Sequence, residues 1–89
     1  MIEMLHIGFD TYVNLNKIKL ISASDGEKLR RELKRRGIEK SSELLWDAAN
    51  GKEIKSAVLL DDGMIIASAV NSETLFKRIN GNFGNSSYK

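Results

Sequence analysis

Residues 44–70, LLWDAANGKEIKSAVLLDDGMIIASAV, contain three apolar runs that are separated by two turn signals. The first signal is Asn50-Gly51, a dipeptide preferred in two-residue hairpin loops, and the second is Asp61-Asp62-Gly63. The runs have the length of ordinary strands and cover residues 44–49, 54–60 and 64–70. Consecutive strands joined by tight turns predict an antiparallel meander.

Two more extended segments are predicted before the meander, over residues 4–9 and 12–22. In the second of them the stretch KIKL at 17–20 alternates charged and apolar side chains, which is the period of a half-buried strand. This alternation predicts that Ile18 and Leu20 face the core.

A basic helix is predicted after the second strand. Ser24 and Glu27 have the spacing of a capping box, and Gly37 is placed to end the helix after Arg36. Leu29 and Leu33 form a narrow apolar seam, because residues four apart lie on the same side of a helix. The remaining surface is cationic, with six basic residues against two acids between positions 27 and 36.

A second, short helix is predicted from Asn71 or Ser72 to about Ile79, followed by a glycine-, asparagine- and serine-rich segment. The sequence therefore predicts one α+β domain over residues 1–80, with a small, mostly antiparallel sheet, and a flexible tail over residues 81–89.

Composition narrows the functional classes. The 89 residues carry a net charge of +2, with 42% hydrophobic and 29% charged residues, as in a folded domain. The chain has no cysteine, which excludes thiol catalysis and thiolate metal sites, and a single histidine, so we expect neither an enzyme nor a cofactor or metal. No apolar run approaches the roughly 20 residues of a membrane span, and we expect a cytoplasmic protein without membrane partners.

Several motifs in order resemble the RemA-like family of bacteria, the extracellular matrix regulators. Ile7-Gly8-Phe9 matches the opening signature of the family, and Asn16-Lys17-Ile18 is similar to its asparagine-arginine-isoleucine. The stretch DAANGKEIK at 47–55 approximates the family's Asp-Ala-Thr-x-Gly-Arg-Arg-Thr-Arg. Ser68-Ala69 and Glu73-Thr74 fall where the family has Ser-Ala and Pro-Glu-Thr.

The resemblance implies a regulator that binds double-stranded DNA, assembles into homo-oligomeric rings and controls biofilm-matrix genes. It also implies that basic residues after the hairpin glycine contact DNA, and these correspond to Lys52 and Lys55, with Lys17 as a further contact from the second strand. In the cytoplasm such a protein would be associated with the nucleoid, with no small-molecule substrate. The complete set of expected DNA-binding residues adds the helix, and comprises Lys17, Lys52, Lys55, Arg30, Arg31, Lys34 and Arg35.

Each of these features also has a structural explanation. Lys52 and Lys55 would equally protect a sheet edge against unwanted strand pairing, and the cationic helix would equally be a solvated surface. Two other functions are therefore kept beside DNA binding: an oligomeric scaffold or protein-interaction module that has lost its DNA contacts, which Glu53 favours, and RNA binding, which the same charges permit.

Overall fold

The computed structural model of the chain describes residues 3–39 and 42–84. This part contains six strands and two α-helices, and the predicted α+β class is confirmed. In chain order the elements are β1 (Met4–Gly8), β2 (Thr11–Asn14), a 3₁₀ turn (Leu15–Lys17), β3 (Ile18–Ala23), α1 (Gly26–Arg35), β4 (Leu45–Asp47), β5 (Ser56–Leu60), β6 (Ile65–Ser68) and α2 (Ser72–Gly84).

The strands form two sheets. β1 and β2 pair as an antiparallel hairpin, and the other four strands form a central sheet in the order β3-β5-β6-β4. β5 is antiparallel to both of its neighbours, whereas β4 is parallel to β6. β3 and β4 are therefore parallel to each other at the two outer positions, and α1 connects one edge of the sheet to the other.

The predicted antiparallel meander is confirmed for β5 and β6 and is wrong for β4. The Asn50-Gly51 turn is present, with φ angles of 53° and 83°, but the strands on its two sides do not pair. β6 is buried along its whole length, so it occupies a central position with a neighbour on each side. β4 is that second neighbour, and the N–H of Ala48 extends the pairing by donating to the C=O of Ala67 at 2.8 Å.

The segment predicted as one strand over residues 12–22 is divided. The 3₁₀ turn Leu15–Lys17 separates β2 from β3, so the basic helix follows the third strand and not the second. A β-bulge between Ile18 and Leu20 then shifts the register of β3 against β5. Ile18 and Ile21 consequently pack against the core, while Leu20 is 52% exposed, which corrects the predicted inward position of Leu20.

Both faces of the central sheet are covered by apolar contacts. On one face Val58 and Ile66 form a core with β1, β2 and Leu75 of α2. On the other face Leu29 and Leu33 of α1 pack on β6, as their spacing predicted. The molecule thus has three layers, with the central sheet between α1 and the layer that holds the β1–β2 hairpin and α2.

Buried serines connect the central sheet to its neighbours. The Oγ of Ser68 donates to the C=O of Ile7 at 2.5 Å and accepts from the N–H of Val70 at 3.0 Å. The Oγ of Ser56 donates to the C=O of Val70 at 2.6 Å. Both serines are fully buried, so these partners remove the cost of an unpaired hydroxyl and hold β1 against the end of β6.

The ends of α1 are determined by local side-chain chemistry. Asp25, and not the predicted Ser24, is the N-cap, and its Oδ1 accepts from the N–H of Lys28 at 2.8 Å. The carboxylate also lies at the positive end of the helix dipole, where negative charge is favourable. At the other end Gly37 has a φ of 75°, as predicted, and the N–H of Ile38 donates to the C=O of Leu33 in a Schellman motif.

We expect Asp25→Ala to lower the free energy of unfolding by about 1 kcal/mol, because it removes the cap of α1. Ser24→Ala is the matched control, since within the described part of the chain the Ser24 hydroxyl donates only to the C=O of Asp25. Urea denaturation of both variants at one protein concentration checks this. A larger loss for Ser24→Ala than for Asp25→Ala would contradict the assignment of the cap.

α2 begins as predicted and ends later. The Oδ1 of Asn71 accepts from the N–H of Thr74 at 2.8 Å, so Asn71 caps the helix, which continues to Gly84 and not to Ile79. Residues 85–89 of the predicted flexible tail lie outside the described residues, and the mobility of the tail stays a prediction. In residues 3–39 and 42–84 neither helix is long and apolar enough to cross a membrane.

Candidate nucleic-acid interface

The exposed side of α1 carries the densest positive charge in the sequence. Leu29 and Leu33 are 5% exposed and attach the helix to the sheet, so the other side chains of the helix point outwards or sideways. Leu29 and Leu33 are the two apolar residues of α1, and basic residues fill most of its other positions. We call this surface the basic face; it comprises Lys28, Arg30, Arg31, Lys34 and Arg35, all of them exposed.

One acid, Glu32, neutralises two cations at the C-terminal end of α1: Arg35 of the basic face and the neighbouring Arg36. Glu32 binds Arg35 through Nη2 at 2.6 Å and Arg36 through Nε at 2.6 Å. Hydrogen bonds from Arg35 and then from Arg36 lower the pKa of the Glu32 carboxyl, and the bond to Glu32 raises the pKa of Arg35. Because the Glu32 pKa is lowered on folding, the pair is present at neutral pH and is lost as the pH falls through that lowered pKa.

The other basic side chains of the helix have no such neutralising partner. Among the described residues, Arg30, Arg31 and Lys34 make no ion pair. They carry full positive charge into solvent, where phosphate oxygens are the strongest complementary ligands. These three residues are the part of the predicted site that is most available to a polyanion.

The basic face divides into two flanks. Arg30 and Lys34 lie beside Ile38, on the side where the chain leaves α1 for β4. Arg31 and Arg35 lie on the opposite flank, in a groove of about 640 Å³ whose floor includes Leu20 of β3. A straight ligand lying along the helix would therefore have Arg30 and Lys34 on one of its sides and Arg31 on the other.

Lys52 and Lys55 lie together at one end of the central sheet. Lys52 closes the Asn50-Gly51 turn, with its N–H donating to the C=O of Ala49 at 3.0 Å. The N–H of Lys55 donates to the C=O of Ser68 at 2.8 Å, and its C=O accepts from the N–H of Ser24 at 3.1 Å. The backbone of this rim is thus fixed, and both ammonium groups project from exposed positions. We call this end of the sheet the Lys55 end.

Acidic residues share the Lys55 end. Asp25 and Glu27 occupy the N-terminus of α1, which follows directly from the last residue of β3, and Glu53 stands between the two lysines in the chain. All three acids are exposed. The field at this end is therefore close to balanced, in contrast to the middle of the basic face.

Lys17 lies at the opposite end of the sheet. Ile18 pairs with Leu60, whereas Ala23 pairs with Ser56 beside Lys55. Five steps of about 3.3 Å along β3 separate the two ends by roughly 16 Å. The C=O of Lys17 accepts from the N–H of Asp61 at 2.8 Å, so its neighbour is an acidic turn. One subunit does not bring the three predicted lysines together.

Exposed apolar side chains include Leu20, Phe76 and Trp46, and of these Leu20 was predicted to face the core. Leu20 is 52% exposed because of the β-bulge, Phe76 is 61% exposed on α2, and Trp46 is 55% exposed on β4. Trp46 donates through Nε1 to the Oγ1 of Thr11 at 3.3 Å, which holds its ring against β2. Periodicity assigned Leu20 to an apolar face, and no local signal in the sequence indicates that the side chains of Leu20 and Phe76 are left uncovered.

Metal chemistry has no candidate in the described part of the chain. In residues 3–39 and 42–84 no three side chains of His, Cys, Asp or Glu are grouped as ligands of one metal ion. Asp61 and Asp62 belong to the turn between β5 and β6, and the Oδ1 of Asp62 accepts from the N–H of Met64 at 3.0 Å.

Comparison with known proteins identifies the family. The chain matches the family model described as RemA-like, extracellular matrix regulatory protein A-like, over residues 4–79. A protein of Coprothermobacter proteolyticus is 35% identical over 75 residues, covering 84% of this chain and 69% of the relative. One of Thermoanaerobacter sp. is 31% identical, covering 91% and 81%, and one of Leptospira biflexa is 34% identical, covering 85% and 78%. All three are named "putative regulatory protein". As its sequence motifs indicated, the chain belongs to the RemA-like family.

Proposed function

We propose that this chain is a regulatory protein that binds double-stranded DNA as a ring-shaped homo-oligomer and controls matrix genes. The observation that carries the proposal is the exposed, unneutralised charge of Arg30, Arg31 and Lys34 in a member of a family of matrix regulators. In this proposal the protein acts at the nucleoid in the cytoplasm and catalyses no reaction.

The charges suit recognition of the DNA backbone more than of bases. Arginine and lysine bind phosphate oxygens of any sequence, and such contacts position a protein without reading the base order. A single subunit offers few of them, so its affinity would be weak. A ring repeats the same few contacts, and each added phosphate contact strengthens binding and increases its dependence on salt.

Lys52 and Lys55 add contacts at the rim. Their backbone is held by hydrogen bonds to Ala49 and Ser68, so the ammonium groups extend from a rigid base. The nearby Asp25, Glu27 and Glu53 reduce the attraction, and we therefore propose the basic face as the larger contributor. Lys17 contacts DNA only if the ring brings it beside the Lys55 end of another subunit.

We expect the double variant Arg30→Gln, Lys34→Gln to weaken binding to duplex DNA by tenfold or more. Loss of two phosphate contacts lowers the steepness of log affinity against log salt by about 1.8 for each subunit that contacts the duplex, at ~0.9 for each contact. Fluorescence anisotropy of a labelled duplex over about 50–200 mM salt measures both quantities. The pair Lys52→Ala, Lys55→Ala should weaken binding less and leave the particle mass unchanged.

The matched control is Lys19→Gln, Lys77→Gln, which removes the same charge from exposed positions outside the basic face and the Lys55 end. Lys19 is on β3 and Lys77 lines a groove with Phe76, so the control is valid only while the particle mass is unchanged. An equal loss of affinity in the control, at unchanged particle mass, would mean that net charge alone matters and would reject the assigned site. Absence of any binding by the unmodified protein at low salt would reject the DNA-binding function.

An oligomeric scaffold is the second candidate, and the acids at the Lys55 end favour it. Asp25, Glu27 and Glu53 would repel phosphate where Lys52 and Lys55 attract it. In that case the ring forms and the anisotropy stays flat at every salt concentration. Titration with a duplex RNA of the same length tests the third candidate, since tighter binding to RNA than to DNA would assign the basic face to RNA.

A further inference from the structure

The central sheet has two outer strands, and each has one open side. β3 pairs only with β5 and β4 pairs only with β6, and no strand of the described residues lies beyond either. Unpaired edges of this kind are templates for further strand pairing. Because β3 and β4 are parallel, a second copy placed beside the first in the same orientation presents its β4 parallel to β3 of the first.

The β3 edge is basic on one side of the sheet and presents an exposed phenylalanine on the other. On the α1 side, Leu20 lies in the groove with Lys28, Arg31 and Arg35. On the α2 side, Phe76 lies beside Ile21 in a second groove of about 610 Å³, which is completed by the polar residues Ser72, Glu73 and Lys77. We define the β3 edge by Leu20, Ile21, Lys28, Arg31, Arg35 and Phe76.

The β4 edge has the complementary arrangement. Leu45 and Asp47 pair with Ile65 and Ala67, whose side chains pack towards α1, so Asp47 stands on the α1 side. Asp47 is exposed, and among residues 3–39 and 42–84 its carboxylate is engaged only through Oδ1, which accepts from the N–H of Ala49 at 2.9 Å.

The aromatic residues of the β4 edge lie on the opposite side of the sheet. Trp46 pairs with Ile66, whose side chain belongs to the core on the side of β1, β2 and α2. It lines a groove with Tyr12 of β2, and Tyr12 is 59% exposed. The β4 edge therefore presents an acid on the α1 side and an aromatic pair on the other.

We propose that the β3 edge of one copy receives the β4 edge of the next, head to tail, so that the central sheet continues from subunit to subunit. On the α1 side Asp47 then faces Arg31 and Lys28 of its neighbour, and on the other side Trp46 and Tyr12 cover Phe76. Each copy uses two different edges, so repetition closes into a ring when the rotation between copies allows it. This inference rests on the self-association proposed above and specifies its contact surfaces.

In this arrangement the two flanks of α1 have different functions. Lys28, Arg31 and Arg35 lie at the contact between subunits. In the assembled ring, Arg31 therefore leaves the set of cations proposed for DNA, and Arg30 and Lys34 on the other flank remain available to it. Leu20, Phe76 and Trp46 are exposed in a single copy, and contact between the two edges covers them, as is typical of apolar side chains at interaction surfaces.

Cross-linking between engineered cysteines tests the proposal directly, because the chain has none of its own. Ser22→Cys places an exposed thiol on the α1 side of β3, and Asp47→Cys places one on the same side of β4, at the level of Ser22 in the register of the sheet. With a short bismaleimide, we expect a mixture of the two single variants to give cross-linked dimers, and each single variant alone to stay uncross-linked. Dimers from Ser22→Cys alone would show a contact between two β3 edges and overturn the proposal.

A second variant pair tests the aromatic contact by particle mass. We expect Phe76→Lys to raise the dissociation constant for self-association at least tenfold, measured by multi-angle light scattering over a dilution series. Asn80→Lys is the matched control on the same helix; it is exposed, does not line the groove at β3, and should leave the mass unchanged. Because Phe76 is mostly exposed, the substitution leaves the core intact.

The outcomes separate this inference from the proposed function. A ring with the expected cross-links that binds no DNA would overturn DNA binding and support the interface. A ring in which the mixed variants do not cross-link and Phe76→Lys has no effect would overturn the interface and leave DNA binding standing. A monomer at all concentrations would overturn both the ring and its interface.

Discussion

Leu75→Ala is expected to lower the free energy of unfolding by about 2–5 kcal/mol, the range for removing a fully buried leucine. Leu75 is 0% exposed, and it inserts α2 into the core formed by β1, β2 and the central sheet. A small domain is stable by only about 5–15 kcal/mol, so this loss is a large fraction of the total. Urea denaturation followed by circular dichroism, at one protein concentration, measures it.

Asn80→Ala is the control for this prediction. Asn80 lies on the same helix at an exposed position, and its replacement should change the free energy of unfolding by less than about 0.5 kcal/mol. Fixed protein concentration matters because self-association adds to the apparent stability. A loss below about 1 kcal/mol for Leu75→Ala would mean that α2 does not pack on the core as described.

Gly8→Ala is the second substitution with a large expected effect. Gly8 has a φ of 129°, in a region that side chains with a Cβ rarely adopt, and such conformations cost about 1–3 kcal/mol. A Cβ at this position would also lie 3.0 Å from the C=O of Ala48, which is backbone and cannot move aside alone. We expect β1 to shift away from the loop after β4, with loss of the Ser68–Ile7 hydrogen bond and about 2–4 kcal/mol of stability.

Gly63→Ala separates the two causes. Gly63 has a φ of 95°, but nothing lies within 4 Å of the position of its Cβ, so only the backbone conformation is penalised. Thermal and urea denaturation should show a clearly smaller loss for Gly63→Ala than for Gly8→Ala. Equal losses would mean that the contact with Ala48 contributes nothing, and the close packing of β1 against this loop would have to be abandoned.

The helices were predictable because their determinants are local. In α1 the leucine seam, the cap region and Gly37 lie close together in the chain, and the structure differs only in using Asp25 instead of Ser24 as the cap. The start of α2 was predicted as well, but its end was placed five residues too early. Ser24 and Asp25 are both strong N-cap residues, so the sequence pattern alone does not choose between them. The choice is made where Ser24 donates its N–H to Lys55, which holds Ser24 in the sheet.

The order of the strands in the central sheet was harder to predict from the sequence. Asn50-Gly51 is a strong local signal for a hairpin, and the turn does form with the expected positive φ angles. Pairing between β4 and β5 is nonetheless absent, because β6 is buried throughout and takes β4 as its outer neighbour. That preference depends on contacts 20 residues apart in the chain, between Leu45 and Ile65 for example, which no short window of sequence contains.

Part of the candidate site was also predictable from local sequence, and part of it needed the structure. That α1 would expose Arg30, Arg31 and Lys34 follows from its two-leucine seam, and the structure agrees. Which cations are neutralised follows partly from spacing, since Glu32 and Arg36 are four residues apart. That Lys17 and Lys55 are separated by the length of β3 could be seen only from the register of the sheet.

By itself the sequence determined the α+β class, the basic helix with its two leucines, the turns at Asn50-Gly51 and Asp61-Asp62-Gly63, and membership in the RemA-like family. These features depend on side-chain periodicity, turn chemistry and motif order, all of which act over a few residues. Only the tertiary structure decided that β4 lies beyond β6, that Lys17 and Lys55 stand at opposite ends, and that Leu20, Trp46 and Phe76 are exposed at the two sheet edges. The physical reason is that strand neighbours and register are chosen by burial of the whole sheet, which is a property of distant residues acting together.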